Sequence, residues 1–141
     1  MTTIVCLDSK NGIGFAGRRQ SRDAVVLEKI KTMSKDTQLW VSRYTLHLFE
    51  ETGLAAEMPQ LRVSEDPQHE AGTDEMCFVE GTEISREPDE FILFFWNRAY
   101  PATSFLSLMP NDWTCMESQT LQGVSHPRID MLRIRKKEGT V

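Results

Sequence analysis

Residues 12–17, Gly-Ile-Gly-Phe-Ala-Gly, satisfy the G-x-G-x-x-G spacing and follow a strand-like run, Thr2–Leu7. In a dinucleotide-binding turn such glycines let the main chain approach a pyrophosphate. The helix that opens at the motif turns its first N–H groups toward the same anion. Two conditions of that chemistry fail here. Helical periodicity begins only after Ser21, several residues too late. The acid expected about 20 residues on, at the end of the second strand, is also missing. That strand ends in Ser42-Arg43, and Asp36 precedes it. The remaining role for the glycines is to let a loop adopt positive φ.

Other chemistry-bearing residues are sparse. His47, His69 and His126 lack metal-ligand spacing, so no metal site is expected. Cys6, Cys77 and Cys115 lie far apart, which argues against zinc and against a disulfide framework. No G-x-S-x-G motif or Cys/His pairing is visible. Charge is more informative. Residues 50–90 carry 2 Lys/Arg against 13 Asp/Glu, while residues 1–49 carry 8 against 4 and residues 91–141 carry 6 against 4. That acidic block reads either as a solvated face or as a docking surface for a basic partner, with Glu65, Asp66, Glu70, Asp74 and Glu75 as its residues. Direct nucleic-acid binding is disfavoured, because phosphate contacts need clustered Lys/Arg. The stretch 94–101, Phe-Phe-Trp-Asn-Arg-Ala-Tyr-Pro, reads as core plus turn. Its second reading is a protein-binding anchor of Trp96, Arg98 and Tyr100.

The 141 residues, 40% hydrophobic and 26% charged, fit one globular domain over 1–141. No apolar run approaches the roughly 20 residues of a membrane span. No basic-then-apolar leader is seen either, so a reducing, cytoplasmic location is the expectation. Apolar runs predict strands at Ile4–Leu7, Leu39–Val41, Leu61–Val63, Met76–Val79, Phe91–Trp96, Thr114–Glu117 and Asp130–Arg135. The run at 91–96, aromatic and β-branched, is the expected central strand. Val26, Leu27, Ile30 and Met33 recur at helical spacing, which predicts a helix over 23–33 capped by Asp23 or Ser21. A second helix is expected over 44–51, a long loop over 8–21 and an acidic loop over 65–75. Strand–helix alternation followed by strands alone predicts an α/β fold whose sheet is mostly parallel with an antiparallel C-terminal edge.

Several stretches, in order, resemble the dihydrofolate reductase family. They are IVCLDSKNGIGFAG (4–17), IKTMSKDTQLWVSRYT (30–45), LRVSEDP (61–67), ILFFWNRAYPATSFLSLMPNDW (92–113) and IDMLRIRKK (129–137). The resemblance implies a dihydrofolate reductase-like sheet with reduced helices. It also implies that the family's chemistry is gone. The L-P-W that closes over substrate is Arg19-Gln20-Ser21 here, the pterin-pocket carboxylate aligns with Val26, and the arginine for the folate carboxylate aligns with Met58. The paired glycines at the cofactor phosphates become Glu80-Gly81, and a carboxylate there would repel pyrophosphate. The following helix shrinks to residues 82–88. Arg43 and Ser64 match positions that hold the 2′-phosphate of NADPH, Thr45 matches a threonine opening the next helix, and Gly14 and Gly17 match the loop. Ser42 replaces a glycine beside the phosphates.

The expectation is therefore a protein with no catalytic residues and no cofactor, acting by binding another protein as inhibitor or adaptor. Stripped forms of enzymes occur in viruses and mobile elements, a source compatible with this reading. One alternative is a divergent NADPH-dependent reductase on dihydrofolate or a related substrate, using Gly14, Gly17, Arg43, Thr45 and Ser64. Another is an acidic decoy for a nucleic-acid-binding protein.

Overall fold

The structure, a computed structural model, describes residues 1–138. In chain order it forms β1 (Thr2–Leu7), β2 (Gly12–Phe15), β3 (Arg18–Arg19), α1 (Ala24–Met33), β4 (Leu39–Val41), α2 (Arg43–Glu51) and β5 (Leu61–Val63). Then come α3 (Pro67–Glu70), β6 (Met76–Val79), β7 (Glu90–Phe95), β8 (Ser104–Phe105), β9 (Trp113–Leu121) and β10 (Ile129–Lys136). Seven strands make one sheet in the order β5-β4-β6-β1-β7-β10-β9. The first five run parallel, while β10 and β9 pair antiparallel. This is the mostly parallel α/β sheet with an antiparallel C-terminal edge that the strand pattern predicts. No helix is long and apolar enough to cross a membrane among the described residues.

The apolar run at 91–96 is continuous because β7 is buried on both faces. Ile92 and Phe94 pack with α1 and α2 through Val26, Leu27, Ile30, Leu48 and Phe49. Phe91 and Leu93 point the other way, against Val5, Leu106, Trp113 and Ile134. Helix α1 starts where its cap is: Asp23, with extended backbone, accepts the Val25 N–H. Helix α2 starts one residue earlier than expected, at Arg43, because the Ser42 hydroxyl accepts the Thr45 N–H.

Two expected loops contain structure. In the acidic segment 65–75, Pro67 supplies a fixed φ to open the one-turn helix α3. The glycine-rich segment 8–21 folds as the hairpin β2–β3, joined to β8 in a separate three-stranded sheet. Its tight turn has both central residues at positive φ, Ala16 at 51° and Gly17 at 78°. That conformation matches the twist of the flanking strands. The buried Asp8 carboxylate anchors the hairpin by accepting the N–H groups of Lys10, Gly12 and Tyr100 and the Gln20 amide. Burial alone would raise the Asp8 pKa, but those bonds outweigh it and hold the group below its ordinary value.

Gly14 and Gly17 therefore serve different needs. A Cβ on Gly14 would overlap the main chain of Gly81, whereas one on Gly17 would meet nothing and only its positive φ objects. Gly17→Ala is expected to cost about 1–2 kcal/mol, the strain of a left-handed L-residue. Gly14→Ala is expected to cost more, because two backbones must separate. Urea unfolding of both variants checks the order.

Candidate functional site

A cleft of about 440 Å³ opens beyond the carboxyl ends of β4, β5 and β6, where ligands of parallel α/β sheets collect. Ser42 and Tyr44 border it after β4, Glu65 and Asp66 after β5, and Glu80 and Glu83 after β6. Its floor is the Glu80 side chain, which is 7% exposed. Arg19 of the hairpin grips that carboxylate with two N–H groups, Nε–H to Oε2 at 2.8 Å and Nη2–H to Oε1 at 2.9 Å. The Thr45 hydroxyl in the first turn of α2 donates to Oε1 at 2.8 Å. The Arg19 guanidinium also lies 4.2 Å from the centre of the Tyr44 ring, and the Arg19 main-chain N–H donates to the Tyr44 hydroxyl. Below them, burial and then the Glu80 charge push up the pKa of the Cys6 thiol.

This geometry revises the sequence reading of Glu80. The carboxylate does not merely repel an anion. It is itself an anion held beside the start of a nine-residue helix, through the Thr45 hydroxyl, at the end where the helix dipole favours negative charge. The residues expected to hold NADPH are placed as follows. The Thr45 hydroxyl is turned to Glu80, and the Ser64 hydroxyl accepts the Asp66 N–H. The Ser42 side chain caps α2. Gly14 packs on Gly81 and Gly17 forms the hairpin turn. Arg43 is exposed. Val26 and Met58, at 1% and 2% exposure, are core residues.

The acidic residues do not share one surface. Glu65 and Asp66 border the cleft. Asp74 and Glu75 lie at the opposite end of β6, where the Glu75 carboxylate accepts the Gly72 N–H and the Trp40 indole N–H. Those bonds hold the Glu75 pKa down. Glu70, on α3, is exposed. The aromatic anchor is also divided. Arg98 is exposed, but Trp96 is 3% exposed and Tyr100 is half-buried. The Trp96 ring stacks on His126 at 4.5 Å between centroids, so core packing claims it.

His126 belongs to a network that sequence reasoning missed. Asp23, besides capping α1, accepts the N–H groups of Val124, Ser125 and His126 and the Ser125 hydroxyl. His126 Nδ1 lies 3.1 Å from Asp23 Oδ2, and its Nε2 lies 3.0 Å from Ser21 Oγ and 3.2 Å from the Tyr100 hydroxyl. An ionised carboxylate only accepts, so Nδ1 carries a proton, and in the neutral ring Nε2 is then an acceptor. Burial alone would raise the Asp23 pKa. The amides of Val124 and Val25, the His126 ring and the Ser125 amide outweigh it and hold the group far below the usual carboxylate range. Asp23 and His126 are 103 residues apart, and no local pattern joins them.

No protein-family model matches the sequence, and no curated protein does. Among solved structures the chain is similar to dihydrofolate reductase from Enterococcus faecalis, in a structure complexed with NADP(H) and RAB-propyl. The TM-score is 0.65, with 13% identity over 97% of this chain and 96% of that one. The likeness shows a dihydrofolate reductase-like α/β fold. Helix α3 is one turn, and residues 80–89 link β6 to β7 without a helix.

A carboxyl group bound more tightly when ionised stabilises the fold above its unfolded pKa of about 3.9 and loses that contribution as pH falls through the lower folded value. Asp23→Asn is therefore expected to cost about 2 kcal/mol or more at pH 7. It is also expected to flatten the decline in stability below about pH 4. Urea unfolding from pH 7 to pH 2 tests both parts.

Proposed function

We propose that this chain keeps the dihydrofolate reductase-like fold without the NADPH-dependent reduction, and acts by binding a basic segment of another protein at its acidic cleft. The observation that carries the reading is the Glu80 carboxylate held by Arg19 and Thr45 at the start of α2. With Glu65, Asp66 and Glu83 around it, the cleft offers carboxylates where a dinucleotide presents phosphates. Like charges at that range are costly in a partly desolvated site. A Lys or Arg side chain meets the opposite condition, since the cleft walls concentrate negative potential. The pterin side supports the same reading, because Val26 and Met58 present no charge for a protonated ring or a folate carboxylate.

A second reading, a divergent NADPH-dependent reductase, is favoured by one observation. Arg43 is exposed on the first turn of α2, at a position matching an arginine that holds the 2′-phosphate. It is the weaker reading, because the Thr45 hydroxyl already donates to Glu80 and that carboxylate would repel a phosphate.

The purified protein, given dihydrofolate and NADPH, is expected to consume no cofactor above an enzyme-free control. Steady consumption that an antifolate stops would establish the reductase. A lysine-rich peptide is expected to bind, with affinity falling as salt screens the contacts. Neutralising Glu65, Asp66 and Glu83 is expected to cost about 0.2–1 kcal/mol per charge. Binding that ignores both salt and these substitutions would defeat the cleft proposal.

A further inference from the structure

Ser21, His126 and Asp23 stand in the order that acyl transfer requires. Asp23 Oδ2 receives the His126 Nδ1–H at 3.1 Å, which fixes the tautomer and leaves Nε2 facing Ser21 Oγ at 3.0 Å. A carboxylate so placed also stabilises the imidazolium that forms when Nε2 takes the hydroxyl proton. The ring is held from the side by stacking on Trp96. Asp23 is held by the Val124, Ser125 and His126 amides, so the orienting group is itself oriented. Access has the right direction too. His126 is buried at 2% exposure, whereas Ser21 is half-buried and borders an open depression shared with Arg19, Gln20, Arg22 and Ser125.

We propose that Ser21 is a nucleophile toward activated carboxylic esters, with His126 as general base and Asp23 as the positioning residue. Ser21 Oγ bonds to the ester carbonyl carbon as its proton passes to His126 Nε2. The same proton then goes to the leaving oxygen as the carbon–oxygen bond breaks, giving an acyl-serine and a free alcohol or phenol. Water, giving up a proton to Nε2, attacks the acyl-serine. The carboxylic acid leaves and the proton returns to Ser21 Oγ. The Tyr100 hydroxyl, 3.2 Å from Nε2, competes with Ser21 for the same lone pair. Tyr100 therefore restrains the base. None of these residues is among the cleft carboxylates, so this activity stands or falls apart from cleft binding.

The test uses 4-nitrophenyl acetate with the full chain, reading 4-nitrophenol release and the acetylated residue by peptide mass spectrometry. The wild type is expected to be acetylated at Ser21 and to turn over. Ser21→Ala is expected to abolish that acetylation and the associated release, with the fold checked by circular dichroism. His126→Gln is expected to slow acetylation by about 100-fold, the contribution of a general base. Tyr100→Phe is expected to accelerate it, which a purely structural role for the network would not produce. Acetyl found only on lysines or the N-terminus, or release unchanged in Ser21→Ala, would overturn the proposal. If His126→Gln fails to fold, Ser21→Ala and Tyr100→Phe decide the matter.

Discussion

A carboxylate as buried as Glu80 costs several kcal/mol unless a cation and hydrogen bonds replace its water. The arrangement around it follows from that requirement. Arg19 must reach it, so the hairpin carrying Arg19 lies across the carboxyl end of β6. The hairpin can lie so close only because Gly14 and Gly81 let their backbones meet. The Arg19 guanidinium then stacks on Tyr44 and ties the hairpin to α2, while Thr45 fixes the carboxylate from the helix side. One ion pair thus joins the small sheet, the large sheet and a helix.

The same pair sets what the cleft can accept. In folds of this kind a helix start beyond the carboxyl ends of parallel strands offers N–H groups to an anion. Here the Glu80 carboxylate lies beside that helix start, bonded to the Thr45 hydroxyl and to Arg19. The cleft is bordered by Glu65, Asp66 and Glu83, carboxylates that favour a cation over a phosphate under the function proposed above. The dihydrofolate reductase-like sheet is held by burial of β1 and β7 on both faces, which does not depend on the cleft. Scaffold and activity can therefore separate.

What the sequence made legible follows the range of the interactions. The doubly buried β7 shows as an apolar run, and α1 shows through its spacing and its Asp23 cap, because each depends on neighbours within a few residues. The hairpin was hidden, since its strands are short and glycine-rich and its turn has Ala16 where Asn or Gly would have signalled it. Glu80 was visible as an obstacle to phosphate, but its partner Arg19 lies 61 residues away. A clue was present: an acid directly after a buried strand requires a cation, and Arg19 stands where the family has an apolar lid. Trp96 admitted two readings from composition alone, and the structure buries it in the core, stacked on His126.

The central proposal is that the Glu80 carboxylate, held by Arg19 and Thr45 beside the start of α2, excludes a phosphate from that place. The most direct measurement follows the backbone amide signals of Ser42 to Thr45 and of Gly81 by nuclear magnetic resonance while NADPH is added to the wild-type protein. The account predicts no saturable shift at these amides. Saturable shifts centred on Ser42–Thr45, with release of the Arg19 side chain from Glu80, would contradict it.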